Sequence, residues 1–273
     1  MKKFSALVLA VLMVLSVVSF SSCAKKDTGE TIQKGVLLIG VDDSYPPMEY
    51  QDGAGNLVGF DVDMTKEICK RINLEPKFLS TAWDGIFQAL KTDKFDTIIS
   101  SVSMQTDRIK NYEFTKPYIA NSQMIVVKPG DNSITKAEDL KDKIVGCQIS
   151  TTSNESATYL LETKKISFTL KTYDQVIQPF NDMKAGRLDA IIVDEVVGQY
   201  YIGTDNKSFK AAAAKLNNEP MAACFKKGNK LLRDKVQKAM DDMIADGTMK
   251  TISQKWFNSD QTSNIDTKLK ALQ

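Results

Sequence analysis

Strand-like and helix-like segments alternate along this chain from Val36 to Trp256, and no other feature of the sequence restricts its fold as much. Runs of strand length are read at Val36–Val41, Pro76–Leu79, Thr97–Ser101, Gln123–Lys128, Lys143–Cys147, Phe168–Tyr173, Ala190–Val193 and Met221–Phe225. Met64, Ile68 and Ile72 recur at helical spacing within Asp61–Ile72, and Pro76 lies beyond that helix's end. Further helices are read over Trp83–Leu90, Thr152–Thr163, Asp174–Gly186, Glu195–Ile202, Lys230–Asp246 and Thr248–Trp256, with a small one closing at Asp139–Lys141. A βαβα rhythm predicts α/β sheets covered by helices. It starts afresh near Asn121, so the chain carries two α/β sets.

The N-terminus bears on the compartment. Lys2 and Lys3 precede an apolar run from Ala6 to Phe20, broken only by Ser16 and Ser19. The run is short for a membrane span and has the flanks of a secretory signal. It stops at Phe20-Ser21-Ser22-Cys23, which resembles a bacterial lipobox, although Leu is usual at the position of Phe20. The favoured reading makes residues 1–22 a lipoprotein signal, Cys23 the lipidated first mature residue and residues 23–34 a flexible tether. An uncleaved anchor, or an ordinary signal cut near Ser22, are the alternatives. Removing 22 of the 273 residues leaves 251, with 34 basic residues against 34 acidic ones. That balance argues against a nucleic-acid partner.

The chain contains no histidine. Ser-His-Asp and Cys-His machinery and His-ligated metals are therefore excluded. Cys69, Cys147 and Cys224 follow no zinc-ligand spacing, so neither a metal nor a cofactor is expected. All three read as buried small residues, and one disulfide among them stays open.

The chemistry concentrates at strand ends. Ser100, Ser101, Ser103 and Arg108 follow the first set's Phe95-Asp96-Thr97-Ile98-Ile99. In an open α/β sheet, ligands sit at the carboxyl ends of strands, and an arginine fork matches a carboxylate. The segment fits equally a strand end capped by local Ser–backbone bonds, with Arg108 solvated. In the second set, Thr151 and Thr152 follow a strand where a helix begins, as an anion site or as a plain N-cap. Asp194 ends the strand at Ala190–Val193, again at the ligand edge or as an N-cap. An arginine in one set and an aspartate in the other suit the two poles of a free amino acid.

The chain resembles the polar amino acid solute-binding proteins of ABC transporters (extracellular solute-binding family 3). The resemblance runs from Val36 to about Asn258. It is carried by Tyr45-Pro46-Pro47-Met48-Glu49-Tyr50, Gly59-Phe60-Asp61-Val62-Asp63-Met64, Trp83-Asp84-Gly85-Ile86, the strand ending in Ser100, Phe114-Thr115-Lys116-Pro117-Tyr118, and Asp246-Gly247-Thr248 with Lys255-Trp256-Phe257. It implies the type II periplasmic-binding-protein fold, two α/β lobes joined by two crossover strands. Lobe 1 would be 35–120 plus 221–257, lobe 2 would be 121–220, and 258–273 a tail. By position, Arg108 would clamp the ligand α-carboxylate with Ser103 and Thr151. Ser101 and Asp194 would hold the α-ammonium, and Asp42, Tyr45 and Trp83 would line the side-chain pocket. Ser150 stands where relatives often have Gly.

The resemblance implies a non-enzymatic, monomeric capture protein. It would close around one polar L-amino acid and deliver it to the transmembrane subunits of an ABC permease from the outer face of the cell membrane, held there by lipid on Cys23. Asp42 with aromatic walls favours a basic amino acid, with glutamine or cystine as the alternatives. Asp43 and Glu49 are expected to be solvated, and Gln148 to sit at the pocket rim or face solvent. A cyclohexadienyl dehydratase-like enzyme on the same fold, or a ligand-sensing lipoprotein, are the competing functions.

Overall fold

The computed structural model describes residues 28–263, 265 and 266. It contains two five-stranded sheets and a small three-stranded one. The first sheet runs β5 (Glu75–Ser80), β1 (Val36–Val41), β6 (Thr97–Ile98), β13 (Cys224–Lys226), β7 (Tyr112–Phe114). The second runs β10 (Thr169–Tyr173), β9 (Ile144–Gln148), β11 (Ala190–Asp194), β8 (Gln123–Val127), β12 (Lys210–Lys215). In each sheet the first three strands are parallel and the fourth runs antiparallel to both of its neighbours. The chain leaves the first sheet between β7 and β8 and returns between β12 and β13. The fourth strand of each sheet is therefore the one that has just arrived from the other.

Burial on both faces explains why β1 reads as an unbroken apolar run. Its side chains alternate between two cores. Leu37, Ile39 and Val41 pack with Phe60, Met64 and Ile68 of α1 (Phe60–Arg71). Val36 and Leu38 pack with Trp83, Ile86 and Leu90 of α2 (Trp83–Lys91). The second sheet repeats the scheme. Val126, Ile191 and Val193 meet Phe180 of α5 (Ile177–Lys184) and Val197 of α6 (Glu195–Thr204). Ile125, Val145 and Ile192 meet Ala157 and Leu160 of α4 (Thr152–Glu162). Helices α7 (Lys230–Ala245) and α8 (Thr248–Phe257) close the first sheet's α1 side.

The expected strand Thr97–Ser101 stops at Ile98; beyond it, Ser101 takes the left-handed conformation, with φ 52°. The expected strand Met221–Phe225 is instead Cys224–Lys226, while Met221 forms isolated bridges to Ser103 and Ile119. Four features are absent from the sequence reading: the small sheet of β2 (Ser44–Tyr45), β3 (Glu49–Gln51) and β4 (Leu57–Val58), helix α3 (Thr106–Asn111), β7 and β12. Cys69, Cys147 and Cys224 are buried, as read, and all three are free, which closes the disulfide left open.

Candidate functional site

The carboxyl ends of β1 and β6 meet those of β9 and β11 across one cleft, bridged by several side chains. Gln148 Nε2 donates to Asp42 Oδ2 at 2.7 Å. Tyr45 donates its hydroxyl to Asp194 Oδ2 at 2.5 Å. Trp83 Nε1 donates to the Ser150 carbonyl at 2.9 Å, and Ser150 Oγ bonds Asp84. Between these bridges the remaining cavity is small, about 10 Å³. That is far below the ~300–1,000 Å³ of ligand pockets and is room for about one water, because the bridging side chains fill the cleft. All ten ligand residues expected from the sequence line it, joined by Glu49 and Gln148. A wider cleft of about 780 Å³, near Tyr200, Trp256 and Asn218, is lined by none of the ten.

Arg108 lies in α3, where its guanidinium stacks 4.8 Å from the Phe87 ring centroid and 5.7 Å from that of Trp83. Its Nη1 donates to the Ser103 carbonyl at 3.2 Å. Among the described residues it has no ion-pair partner, which leaves the fork to an incoming anion. Nearby, α4 begins at Thr152, so the first-turn N–H groups lack acceptors within their own helix. Thr151 is the N-cap of that helix. Its Oγ1 accepts from Asn154 N and donates to the Gln148 carbonyl at 2.7 Å, so the plain N-cap role is present. Ser150 precedes it at φ 58°, a left-handed backbone conformation that favours glycine.

Asp194 forms the opposite pole. It occupies the N-cap position of α6 but makes no side-chain cap bond, so its carboxylate is free of that duty. Instead it accepts from Tyr45, from Asn121 Nδ2 at 2.9 Å and from Gln123 Nε2. Burial pushes its carboxyl up, opposed by those hydrogen bonds and by the positive charge of Arg108. Behind it, Glu219 on the returning crossing accepts from Thr152 Oγ1 at 2.9 Å and from Gln123. Burial, then the charge of Asp194, push Glu219 up to about 8. Thr152 thus turns its hydroxyl toward the crossing.

On the first sheet's side, Asp42 accepts from Ser44 Oγ and Gln148 Nε2, and burial raises its carboxyl. Ser100 is committed on both sides: its Oγ donates to Glu49 Oε1 at 2.6 Å and accepts the Asp42 N–H at 3.0 Å. Ser101 donates its N–H to Asp61. Glu49 corrects an expectation, being fully buried at 0 % exposure instead of solvated. It sits on the three-residue β3, too short for any periodicity to signal burial. Asn121, Gln123 and Glu219 were also missed; they lie on or beside the crossings, and only contacts made after folding join them to Asp194. Cys23 falls outside the described residues.

These features define a two-lobed α/β binding protein of the type II periplasmic-binding-protein fold, with a polar cavity between the lobes. Residues 37–259 match the model of the bacterial extracellular solute-binding proteins, family 3, and the chain belongs to that family. It is 31% identical over 231 residues to the L-cystine-binding protein TcyJ of Escherichia coli, covering 84% of this chain and 85% of that one. Among solved structures it resembles an ancestral arginine-binding protein bound to arginine, at 35% identity and TM-score 0.78, covering 82% and 99% of the two chains. The same description bound to glutamine gives 34% and 0.77, covering 83% and 100%.

Proposed function

We propose that the chain captures one free L-amino acid outside the cytoplasm, basic in preference to glutamine or cystine, and hands it to an ABC permease. The supporting observation is that Arg108 and Asp194, of opposite charge, line one polar cleft between the two sheets. Arg108 would take the α-carboxylate together with Ser103 and the first turn of α4 beyond Thr151. Asp194 and Ser101 would take the α-ammonium. Asp42 remains as the acid nearest the ligand's side chain, and its buried charge favours a cationic end group there. Tyr45 and Trp83 would flank the aliphatic stem. Relatives described as binding arginine, glutamine and cystine agree with this class of ligand.

The reading includes closure of a lobe of residues 35–120 plus 221–257 on one of residues 121–220. It also includes a monomer held at the membrane by lipid on Cys23, and no catalysis. Calorimetry with a panel of L-amino acids tests it. A basic amino acid should bind most tightly, and Arg108→Ala and Asp194→Ala should each weaken it by roughly 100-fold or more, since each leaves a ligand charge buried and unpaired. Undiminished binding by either variant refutes the site, and tight binding of a neutral ligand alone refutes the basic preference.

A further inference from the structure

We infer that Glu49 stands in the cavity wall as a neutral carboxylic acid, sharing one proton with Asp61, and so sets the charge of the pocket and fixes Ser100 and Ser101. This use of the pocket rests on the ligand class proposed above; the proton assignment does not. Glu49 and Asp61 are 0 % and 1 % exposed. Gly59, at φ 140°, brings the start of α1 under Met48. There the N–H groups of Phe60 and Asp61 donate to the carbonyls of Pro47 and Met48 at 3.0 and 2.9 Å. That join sets the two acids side by side, both against Ser101, whose backbone N lies 2.8 Å from Asp61 Oδ2 and whose hydroxyl lies 3.4 Å from Glu49 Oε2.

The donors around the pair are unevenly shared. Asp61 Oδ2 accepts the Ser101 N–H at 2.8 Å and the Tyr118 hydroxyl at 2.9 Å. Asp61 Oδ1 is buried with no donor. Glu49 accepts from Ser100 Oγ at 2.6 Å and lies 3.4 Å from Ser101 Oγ. Neither acid has an ion-pair partner among the described residues. Two adjacent buried carboxyls without a cation do not both ionise. A proton on Glu49 supplies the donor that Asp61 Oδ1 lacks, while Asp61 keeps the charge that two strong donors stabilise.

The surroundings favour that proton. Asp42 faces Glu49 from the end of β1, Tyr45 from β2 and Tyr118 from the first crossing, and Arg108 and Asp194 share the cavity. Burial first, then Asp61, hold Glu49 well above the usual carboxyl range; burial raises Asp61 to about 6. At neutral pH the pair retains one proton. The charged groups lining the cavity are then Asp42, Asp194 and Arg108, a net of one negative charge, which matches a monocationic amino acid. Ionisation of Glu49 would double that deficit.

Infrared spectra of the ligand-free full chain test the proton directly, with Glu49→Gln as the isosteric neutral variant. At pH 7 the wild type should show a protonated-carboxyl band that Glu49→Gln lacks and that fades at alkaline pH. No such difference between the two proteins overturns the proposal. In calorimetry at pH 7, Glu49→Gln should hold L-arginine at least ~tenfold more tightly than Glu49→Ala, because the amide keeps both hydrogen-bonding roles and the charge. Losses of equal size in the two variants would mark Glu49 as an ionised counter-charge and also overturn the proposal. The spectra decide the proton even if no amino acid binds, an outcome that would overturn the ligand reading alone.

Discussion

The Tyr45 hydroxyl reaches across the cleft to Asp194 Oδ2 at 2.5 Å, at the position proposed for a ligand ammonium. The cleft is thus bridged by the protein's own groups around a cavity of about 10 Å³. A hydrogen bond to a charged group contributes about 1.5–3 kcal/mol, enough to shift a closed population by ten- to a hundredfold. Ligand-free Tyr45→Phe should therefore show a larger radius of gyration by small-angle scattering than ligand-free wild type, and saturating ligand should bring the two together. Equal ligand-free radii would remove Tyr45 from any role in closure.

Arg108 is held flat between Phe87, Trp83 and the Ser103 carbonyl, so its fork is oriented before a ligand arrives. Lysine keeps the charge but loses both the planar stack and the paired donors. Arg108→Lys should weaken binding at least ~tenfold by calorimetry while leaving the melting temperature near that of wild type. Retained affinity would assign the ligand carboxylate to the first turn of α4 instead.

The layout of the fold and the strand-end positions of Arg108 and Asp194 were legible because each is written in contiguous residues. β1 is an unbroken apolar run, Arg108 follows a strand and Asp194 ends one. What was illegible is what distant segments do to one another. Glu49 reads as a surface acid until Gly59 lets α1 pack beneath Met48. Gln123 and Glu219 lie far apart in sequence, yet both converge on the neighbourhood of Asp194 through hydrogen bonds. β2, β3 and β4 are two or three residues long, below the length at which alternation carries information.

Glu219 gives a pH signature. Burial and the Asp194 charge raise its folded pKa to about 8, from an ordinary value near 4.5. Between those values the unfolded chain releases a proton that the native state keeps. Stability therefore falls as pH rises from the ordinary carboxyl range to about 8, then levels off. Glu219→Gln keeps a hydrogen-bonding side chain and loses the titration. Urea unfolding at acidic, neutral and mildly alkaline pH should show a shallower decline for the variant than for wild type. Parallel curves would mean that Glu219 is ionised in the native state.

Gly59 is the joint on which the buried acid pair depends. At φ 140°, a Cβ built there would lie 2.1 Å from the Met48 carbonyl oxygen and 2.8 Å from the Glu49 nitrogen. Both obstacles are backbone, so neither can turn aside as a flexible side chain would. An alanine must also adopt a backbone conformation that L-residues avoid. Gly59→Ala should therefore destabilise the fold by ~3 kcal/mol or more in urea unfolding. The same shift would move Met48 and Glu49 away from Asp61, so the protonated-carboxyl band assigned to Glu49 should weaken along with stability. Wild-type stability in Gly59→Ala would show that α1 can start elsewhere without disturbing the pair.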